Sequence, residues 1–233
     1  MEEKRNKIHI VAEETAAVSS PDYYNPIGAT QDNHSNENYL SELERAVGKK
    51  SFSYLDLACA GGQTVVDVYE MGNVACGVEG SDLNKMLNST RWGPTYIGGT
   101  EKKSGAENWR KYKDVCLFKA DITKSFDLLD ANDEIVVFDI ITAWDFLEHP
   151  LPNEIPFVLD NVVSHMHAES LFVALVNTVH GTHHRCVQNK EWWLKEFEKV
   201  GLVDLGFDFK SSPRVKTNPL SESDIGFQLR LAK

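Results

Sequence analysis

Short apolar runs alternate with helically spaced apolar residues in the first third of the chain. A first run covers residues 54–58, and very small residues follow at 60–62. Residues 65–71 then carry apolar side chains at helical spacing, and a second apolar run covers residues 74–78. Apolar runs of this length, bounded by turn-forming residues, are typical of buried strands. The order strand, tight turn, helix, strand predicts a βαβ unit.

The same alternation continues to the end of the chain. Helices are predicted at 153–167 and 190–200. Further strands are predicted at 115–120, 136–145, 170–179, 203–209 and 225–231. The last of these alternates apolar and polar residues, as an antiparallel strand with one solvated face does. Together the pattern predicts an α/β domain with a seven-stranded, mostly parallel sheet and helices on both faces.

Two stretches interrupt this pattern, and they define the expected domain organisation. Residues 1–20 are polar and predict a flexible N-terminal arm, although residues 8–11 could add a short edge strand. Residues 21–233 are expected to form a single domain with an irregular insertion at about 88–114. The insertion interleaves aromatic residues with cations, which could stack on a sugar or base or fold back on the domain.

Composition and charge narrow the range of partners. The 233-residue chain has a formal net charge of −11, which argues against general nucleic-acid binding. Its four cysteines form no CxxC pair, which favours reduced thiols in a cytoplasmic protein. The N-terminus lacks a signal peptide's apolar core, and no apolar run is long enough to span a bilayer.

The turn between the first two strands carries the chemistry of a ligand site. A turn of very small residues lets a ligand lie against the backbone near a helix N-terminus. Glu79, at the tip of the second strand, can accept hydrogen bonds from two ribose hydroxyls. Asp56 lies ahead of the turn and would attract an ammonium or sulfonium group and repel a pyrophosphate. Because the dinucleotide glycine fingerprint is absent, a nucleotide-dependent oxidoreductase is the weaker alternative.

These residues resemble motif I of the class I S-adenosylmethionine-dependent methyltransferases. The motif is present as Asp56-Leu57-Ala58-Cys59-Ala60-Gly61-Gly62, with alanine in place of two of the usual glycines. The segment 138–149, which reads FDIITAWDFLEH, resembles a second motif of the family. The resemblance implies a Rossmann-like methyltransferase sheet, a lid over the cofactor formed by residues 21–33, and S-adenosyl-L-methionine as cofactor. The expected cofactor-binding residues are Asn33, Asp56, Ala58, Ala60, Gly61, Gly62, Glu79, Gly80, Asp121, Ile122 and Trp144.

Individual residues of that set have competing interpretations. Asp121 follows the third strand, where the family contacts the adenine amino group, but it could equally cap a helix. A helix preceding the first strand is expected to start at Ser35 or Asn36.

The candidate catalytic residues follow the fourth and fifth strands. If a helix begins at Asp145, its carboxylate can reach the imidazole of His149 and raise its basicity. His184, in the loop after the fifth strand, could approach the same point. The alternatives are that Glu148 and His149 only cap a helix and that His184 is a surface residue. The His180, His183 and His184 cluster has no acid beside it, so no metal is expected.

The expected function is methyl transfer to oxygen on a small acceptor such as a saccharide. The arrangement of His184 with Trp192-Trp193 resembles methyltransferases that act on saccharides and other small acceptors. The alternatives are N-methylation, or a protein of the same fold that binds S-adenosylmethionine without catalytic activity.

Overall fold

The computed structural model describes residues 7–24, 36–82, 95–97, 100–102, 105–181, 183–213 and 223–232. The helices are α1 Pro21–Tyr24, α2 Glu37–Val47, α3 Gln63–Glu70, α4 Gly105–Tyr112, α5 Ile155–Ser164 and α6 Lys190–Lys199. The strands are β1 His9–Ala12, β2 Ser53–Leu57, β3 Val74–Glu79, β4 Thr95–Ile97, β5 Thr100–Lys102, β6 Leu117–Lys119, β7 Phe126–Leu129, β8 Phe138–Trp144, β9 Met166–Asn177, β10 Leu202–Asp204 and β11 Asp224–Leu231.

A seven-stranded sheet with the order β10-β11-β9-β8-β2-β3-β6 forms the centre of the molecule. Strand β2 runs parallel to both β3 and β8, and β6 and β9 continue the parallel pairing on either side. Only β11 runs antiparallel to its neighbours, β9 and β10. The predicted seven-stranded, mostly parallel sheet is therefore confirmed. The chain reverses its direction of winding at β2, and this is where doubly wound sheets open a crevice at the carboxyl ends of the strands.

Apolar side chains on both faces of the sheet explain why helices cover both faces. Along β2, Tyr54 packs into one core and Leu55 into the other. The Tyr54 side is covered by α2, α3 and α4, and the Leu55 side by α5 and α6. A parallel strand buried on both faces reads as a continuous apolar run, which is why the sequence pattern located β2 correctly.

The N-terminal region contains strand β1, which the sequence analysis had given only as an alternative to a flexible arm. Strand β1 pairs antiparallel with β7, with His9 opposite Leu129. The peptide N–H groups of Ala17 and Asp121 then donate to the carbonyls of Gly80 and Glu14, respectively. Part of the expected arm is thus hydrogen-bonded to the domain. Helix α1 is the described part of the expected lid, and the rest, including Asn33, lies outside the described residues.

The region expected to be an irregular insertion contains regular structure instead. Strands β4 and β5 form an antiparallel hairpin, and α4 follows it. Helix α4 buries Trp109 and Tyr112 against the domain, which favours the alternative in which these aromatics fold back. Asn36 accepts the N–H groups of Asn38 and Tyr39 and caps α2, as one of the two expected caps. In the described part of the chain, no helix is long and apolar enough to cross a membrane.

Candidate active site

One cavity opens at the carboxyl ends of β2, β3 and β8, and most of the predicted site residues line it. Those residues are Asp56, Ala58, Ala60, Glu79, Gly80, Asp121, Ile122, Trp144, Asp145 and His149. The N-terminal segment, residues 7–24, also lines the cavity. Asp22 and Tyr23 belong to the expected lid but were not predicted as site residues, and the contribution of Ala17 was missed. Arg185 lines the cavity as well.

The turn after β2 has an unusual backbone conformation. Ala58 and Ala60 adopt positive φ angles of 57° and 51°, which L-residues rarely adopt. Glu79 fixes this conformation, because its Oε2 accepts the Ala60 N–H at 2.9 Å and its Oε1 accepts the Ser81 N–H at 2.8 Å. Glu79 is only 5 % exposed, and it borders the cavity.

The two glycines of the turn have a packing role. A Cβ atom on Gly61 would lie 3.0 Å from the Cα atom of Gly105 at the start of α4. Gly62 has a φ of 70°, and a Cβ atom there would lie 2.6 Å from the Leu117 side chain on β6. Neither glycine is among the described residues that line the cavity. Their contact with a cofactor stays a prediction, and what the structure shows is close approach of neighbouring elements.

Helix α4 holds the turn after β2 through hydrogen bonds from two side chains. The sequence analysis did not predict this contact. The Trp109 indole N–H donates to the Ala60 carbonyl at 2.7 Å, and the Asn108 amide donates to the Gly61 carbonyl at 3.0 Å. Both side chains are about 1 % exposed. The spacing of Ala106, Trp109 and Tyr112 is the signal that could have revealed this helix.

Asp56 belongs to a buried polar network that spans β2 and β8. The Thr142 hydroxyl donates to Asp56 Oδ1 at 2.7 Å and lies 2.9 Å from the Tyr54 hydroxyl. Nearby, the Trp144 indole donates to the Tyr39 hydroxyl at 2.8 Å. Burial and the charge of Asp56 raise the pKa of both Tyr39 and Tyr54, so both phenols stay protonated. The network holds the Asp56 carboxylate at the edge of the cavity.

Asp121 closes its own turn while it lines the cavity. Its Oδ1 atom accepts the Thr123 N–H at 2.9 Å and the Thr123 hydroxyl at 2.7 Å. No helix follows Asp121, because residues 122–124 form a turn. The expected contact with an adenine stays a prediction.

The predicted partnership between Asp145 and His149 takes a different form. Residues 145–149 form a turn and not the helix on which that partnership depended, and Asp145 has a φ of 44°. The His149 Nδ1 atom instead lies 2.6 Å from Oδ2 of Asp22, and Oδ1 of Asp22 lies 2.6 Å from His183 Nδ1. No sequence spacing could have indicated a contact across 127 positions.

These contacts shift the pKa values of the Asp22 carboxyl group and of the His149 imidazole. Burial opposes the shift, but the hydrogen bond to His149 and the charges of His149 and His183 lower the pKa of Asp22. Burial likewise disfavours charged His149, yet its hydrogen bond to Asp22 raises the pKa of the imidazole above its usual value. The pair is therefore most stable with the carboxylate ionised and His149 protonated at Nδ1.

The loop after β9 is fastened to the 145–149 turn, and it brings His184 close to His149. The carbonyl of Glu148 accepts the N–H groups of Arg185 and Cys186. The rings of His149 and His184 meet edge to face with centroids 5.1 Å apart, as the predicted approach of His184 requires. The Glu148 side chain is fully buried, and burial raises its pKa to about 7. Because no helix begins at this turn, Glu148 is not a helix cap, and its Oε1 atom instead accepts the Asn177 N–H.

Comparisons with known proteins agree on the fold. No model of a known protein family and no curated protein sequence matches the chain. Among solved structures, an S-adenosylmethionine-dependent methyltransferase from Clostridium acetobutylicum is similar with a TM-score of 0.56 at 15 % identity, covering 85 % of this chain and 93 % of that one. A TehB-like methyltransferase from Corynebacterium glutamicum gives 0.52 at 15 % identity, covering 83 % and 87 %.

A third similar structure was determined with a ligand. It is the glycopeptide N-methyltransferase MtfA in complex with S-adenosylhomocysteine, with a TM-score of 0.53 at 12 % identity, covering 86 % of this chain and 92 % of MtfA. The chain thus has the fold of the class I S-adenosylmethionine-dependent methyltransferases.

Proposed function

We propose that this protein transfers a methyl group from S-adenosyl-L-methionine to an oxygen atom of a small acceptor such as a saccharide. One observation supports this most strongly: a single cavity brings together Glu79, Asp56 and the 145–149 turn at the switch point of the sheet. The fold places a ligand at this position in open α/β sheets. MtfA was crystallised with S-adenosylhomocysteine and is similar in fold.

Each acid has a specific role in cofactor binding. The Glu79 carboxylate is fixed by two backbone N–H groups, and each of its oxygens keeps a second lone pair for a ribose hydroxyl. Asp56, oriented by Thr142, offers its charge to the ammonium or sulfonium of the methionine part. Asp121 lines the same cavity, and we assign it the contact with the adenine.

The reaction needs alignment and a proton acceptor. As the acceptor oxygen forms its bond to the methyl carbon, the carbon–sulfur bond breaks and its electron pair stays on sulfur, which leaves S-adenosylhomocysteine. The hydroxyl proton must pass to a group on the protein or to water. Asp145 and His149 line the cavity, and the His184 ring packs against His149. We propose that this face binds the acceptor and assists the loss of its proton.

N-methylation is the second candidate, because MtfA is a glycopeptide N-methyltransferase. We also propose a cytoplasmic location, which is supported by the four cysteines, since all of them are buried and none forms a disulfide. Retention of the cofactor pocket without catalysis is the third alternative, and only a turnover assay separates it from the first two.

Calorimetry with S-adenosylhomocysteine and NAD, followed by an acceptor screen with methyl-labelled cofactor, tests the proposal. We expect S-adenosylhomocysteine and not NAD to bind, and label to appear on hydroxyl-bearing saccharides. Label only on amines would replace O-methylation with N-methylation. Cofactor binding without label on any acceptor would favour a binding protein, and a lack of binding would overturn the proposal.

A further inference from the structure

We propose that Glu148, His149 and His184 form a binding site for a divalent transition-metal cation. One ligand atom from each of these side chains lies within 4.8 Å of the others. A carboxylate with two imidazoles is a donor set that Zn²⁺, Mn²⁺, Fe²⁺ and Co²⁺ bind, and it leaves coordination positions open. The three histidines at 180–184 lack an acid beside them in sequence, but the fold supplies Glu148 from the turn after β8.

Both imidazoles are already oriented as metal ligands are. His149 is held through Nδ1 by the carboxylate of Asp22 at 2.6 Å, and His184 is held through Nδ1 by the Val179 carbonyl at 2.6 Å. Metal-binding histidines almost always donate their second ring N–H to a carboxylate or a backbone carbonyl. In both rings this leaves Nε2 as the nitrogen whose lone pair can bind a cation.

The third ligand provides an independent observation. Glu148 is fully buried, and its Oε1 atom accepts the Asn177 N–H at 3.2 Å. Its buried Oε2 atom has no hydrogen-bond partner among the described residues. An unsatisfied buried carboxylate oxygen is costly, and a cation held by the two histidines would satisfy it.

The position of the site also gives the cation a function. His149 lines the cavity, so an open coordination position would face the place where the acceptor binds. A cation there would take the acceptor oxygen and make its hydroxyl more acidic. This role rests on the proposed function, whereas the binding of the cation does not. A nitrogen that binds a cation cannot take up a proton, so the cation would replace His149 and His184 as the direct base.

Electron paramagnetic resonance with Mn²⁺ tests the site in the 233-residue chain after treatment with a chelator. We expect one Mn²⁺ to bind per chain, and Zn²⁺ to displace it, in keeping with the usual order of metal affinities. His184→Gln should weaken Mn²⁺ binding by more than tenfold. His180→Gln is the matched control, because His180 is an exposed residue of the same loop. Asp22→Asn removes no ligand but alters the support of His149 and the contact with His183, and it should weaken binding by roughly 10–100-fold.

Two results would overturn the site: no stoichiometric Mn²⁺ or Zn²⁺ binding by the wild-type protein, or equal affinity in the His184→Gln and His180→Gln variants. The affinity for S-adenosylhomocysteine, measured on the same samples, separates this proposal from the proposed function. Cofactor binding without cation binding rejects only the metal site. Cation binding without cofactor binding supports the metal site and rejects the proposed function.

Discussion

The Oδ2 atom of Asp22, in the N-terminal segment, lies 2.6 Å from the Nδ1 atom of His149, after the fourth strand of the parallel sheet. The same carboxylate contacts His183 in the loop after β9. One residue of the N-terminal segment therefore fastens that segment to two loops of the cavity. The expected lid gains a physical anchor from this contact.

Asp22→Ala should release the N-terminal segment. Without the carboxylate, two half-buried histidines lose their ion pairs, and the segment opens more often. We expect faster amide hydrogen exchange in residues 13–24, and protection of residues 21–33 by S-adenosylhomocysteine that is weaker than in the wild type. Glu13→Ala, which removes an exposed acid from the same segment, should exchange as the wild type does. Identical exchange in both variants would remove Asp22 as the anchor.

Glu79→Gln should weaken S-adenosylhomocysteine binding by roughly 1.5–3 kcal/mol, or about 10–150-fold, through loss of charge-assisted hydrogen bonds. Calorimetry measures the change directly. Because Glu79 also accepts the Ala60 and Ser81 N–H groups, the melting temperature must be measured alongside. Glu134→Gln, an exposed substitution, is the control. Unchanged affinity in the Glu79 variant would place the ribose elsewhere.

Trp109→Phe tests the support of the turn by α4. The substitution leaves the buried Ala60 carbonyl without the indole N–H that it accepts at 2.7 Å. We expect the free energy of unfolding to fall by about 1–3 kcal/mol and cofactor affinity to fall with it, because the turn loses its fixed shape. Urea denaturation and calorimetry measure the two effects. As a control, Trp192→Phe on α6 should leave the cofactor affinity unchanged. If Trp109→Phe also left the affinity unchanged, α4 would have no effect on cofactor binding.

His165 should make the fold sensitive to acid. Burial lowers its pKa, despite its hydrogen bond to the Asn161 carbonyl and the charge of Asp127. Its neutral Nε2 accepts the Leu128 N–H at 3.1 Å. The unfolded chain takes up this proton first, at about pH 6.5, so the contribution is complete above that pH and is lost as the pH falls below it.

The corresponding experiment compares melting temperatures between about pH 7.5 and pH 5, a range that spans the ordinary histidine pKa. His165→Gln cannot be protonated, so its stability should be lower at neutral pH but should change less with acidification. His180→Gln, an exposed control, should follow the wild-type pH dependence. If the His165 variant did so as well, the acid sensitivity would arise at another group.

His149→Ala and His184→Ala should each lower turnover at saturating cofactor by roughly 10²–10⁴-fold and keep cofactor affinity. This loss of turnover is expected whether the two imidazoles act as bases or as metal ligands. The Mn²⁺ binding experiment on the His184 variant distinguishes between these two roles. His180→Ala should keep full turnover. Full turnover in both test variants would leave Asp145 or substrate positioning to promote the reaction.

The sequence analysis correctly located the strands that are almost completely buried. Strands such as β2 and β8 are buried on both faces, so their apolar runs are continuous and hard to mistake. Glu79 and Asp56, which line the cavity, were singled out for a related reason, because an acid that directly ends or interrupts such a run is expected to have a polar role. The local pattern alone carries this information.

Other features depend on contacts that no local pattern encodes. The charges of Glu107, Arg110 and Lys111 masked the apolar spacing of α4. Strand β7 is short and exists through its pairing with β1, more than a hundred residues away. Asp22 meets His149 because the folded N-terminal segment lines the same cavity. In each of these cases tertiary contacts, rather than local propensity, determine the outcome.

Ala58 and Ala60 occupy positions where glycine would adopt the observed backbone at less steric cost. Alanine also removes freedom that glycine would have in the unfolded chain, so less entropy is lost when the turn is ordered. Two hydrogen bonds, from the Ala60 N–H to Glu79 and from the Trp109 indole to the Ala60 carbonyl, then hold the shape that results. The turn is therefore preorganised, and a ligand that enters the cavity meets a rigid surface that it does not have to order.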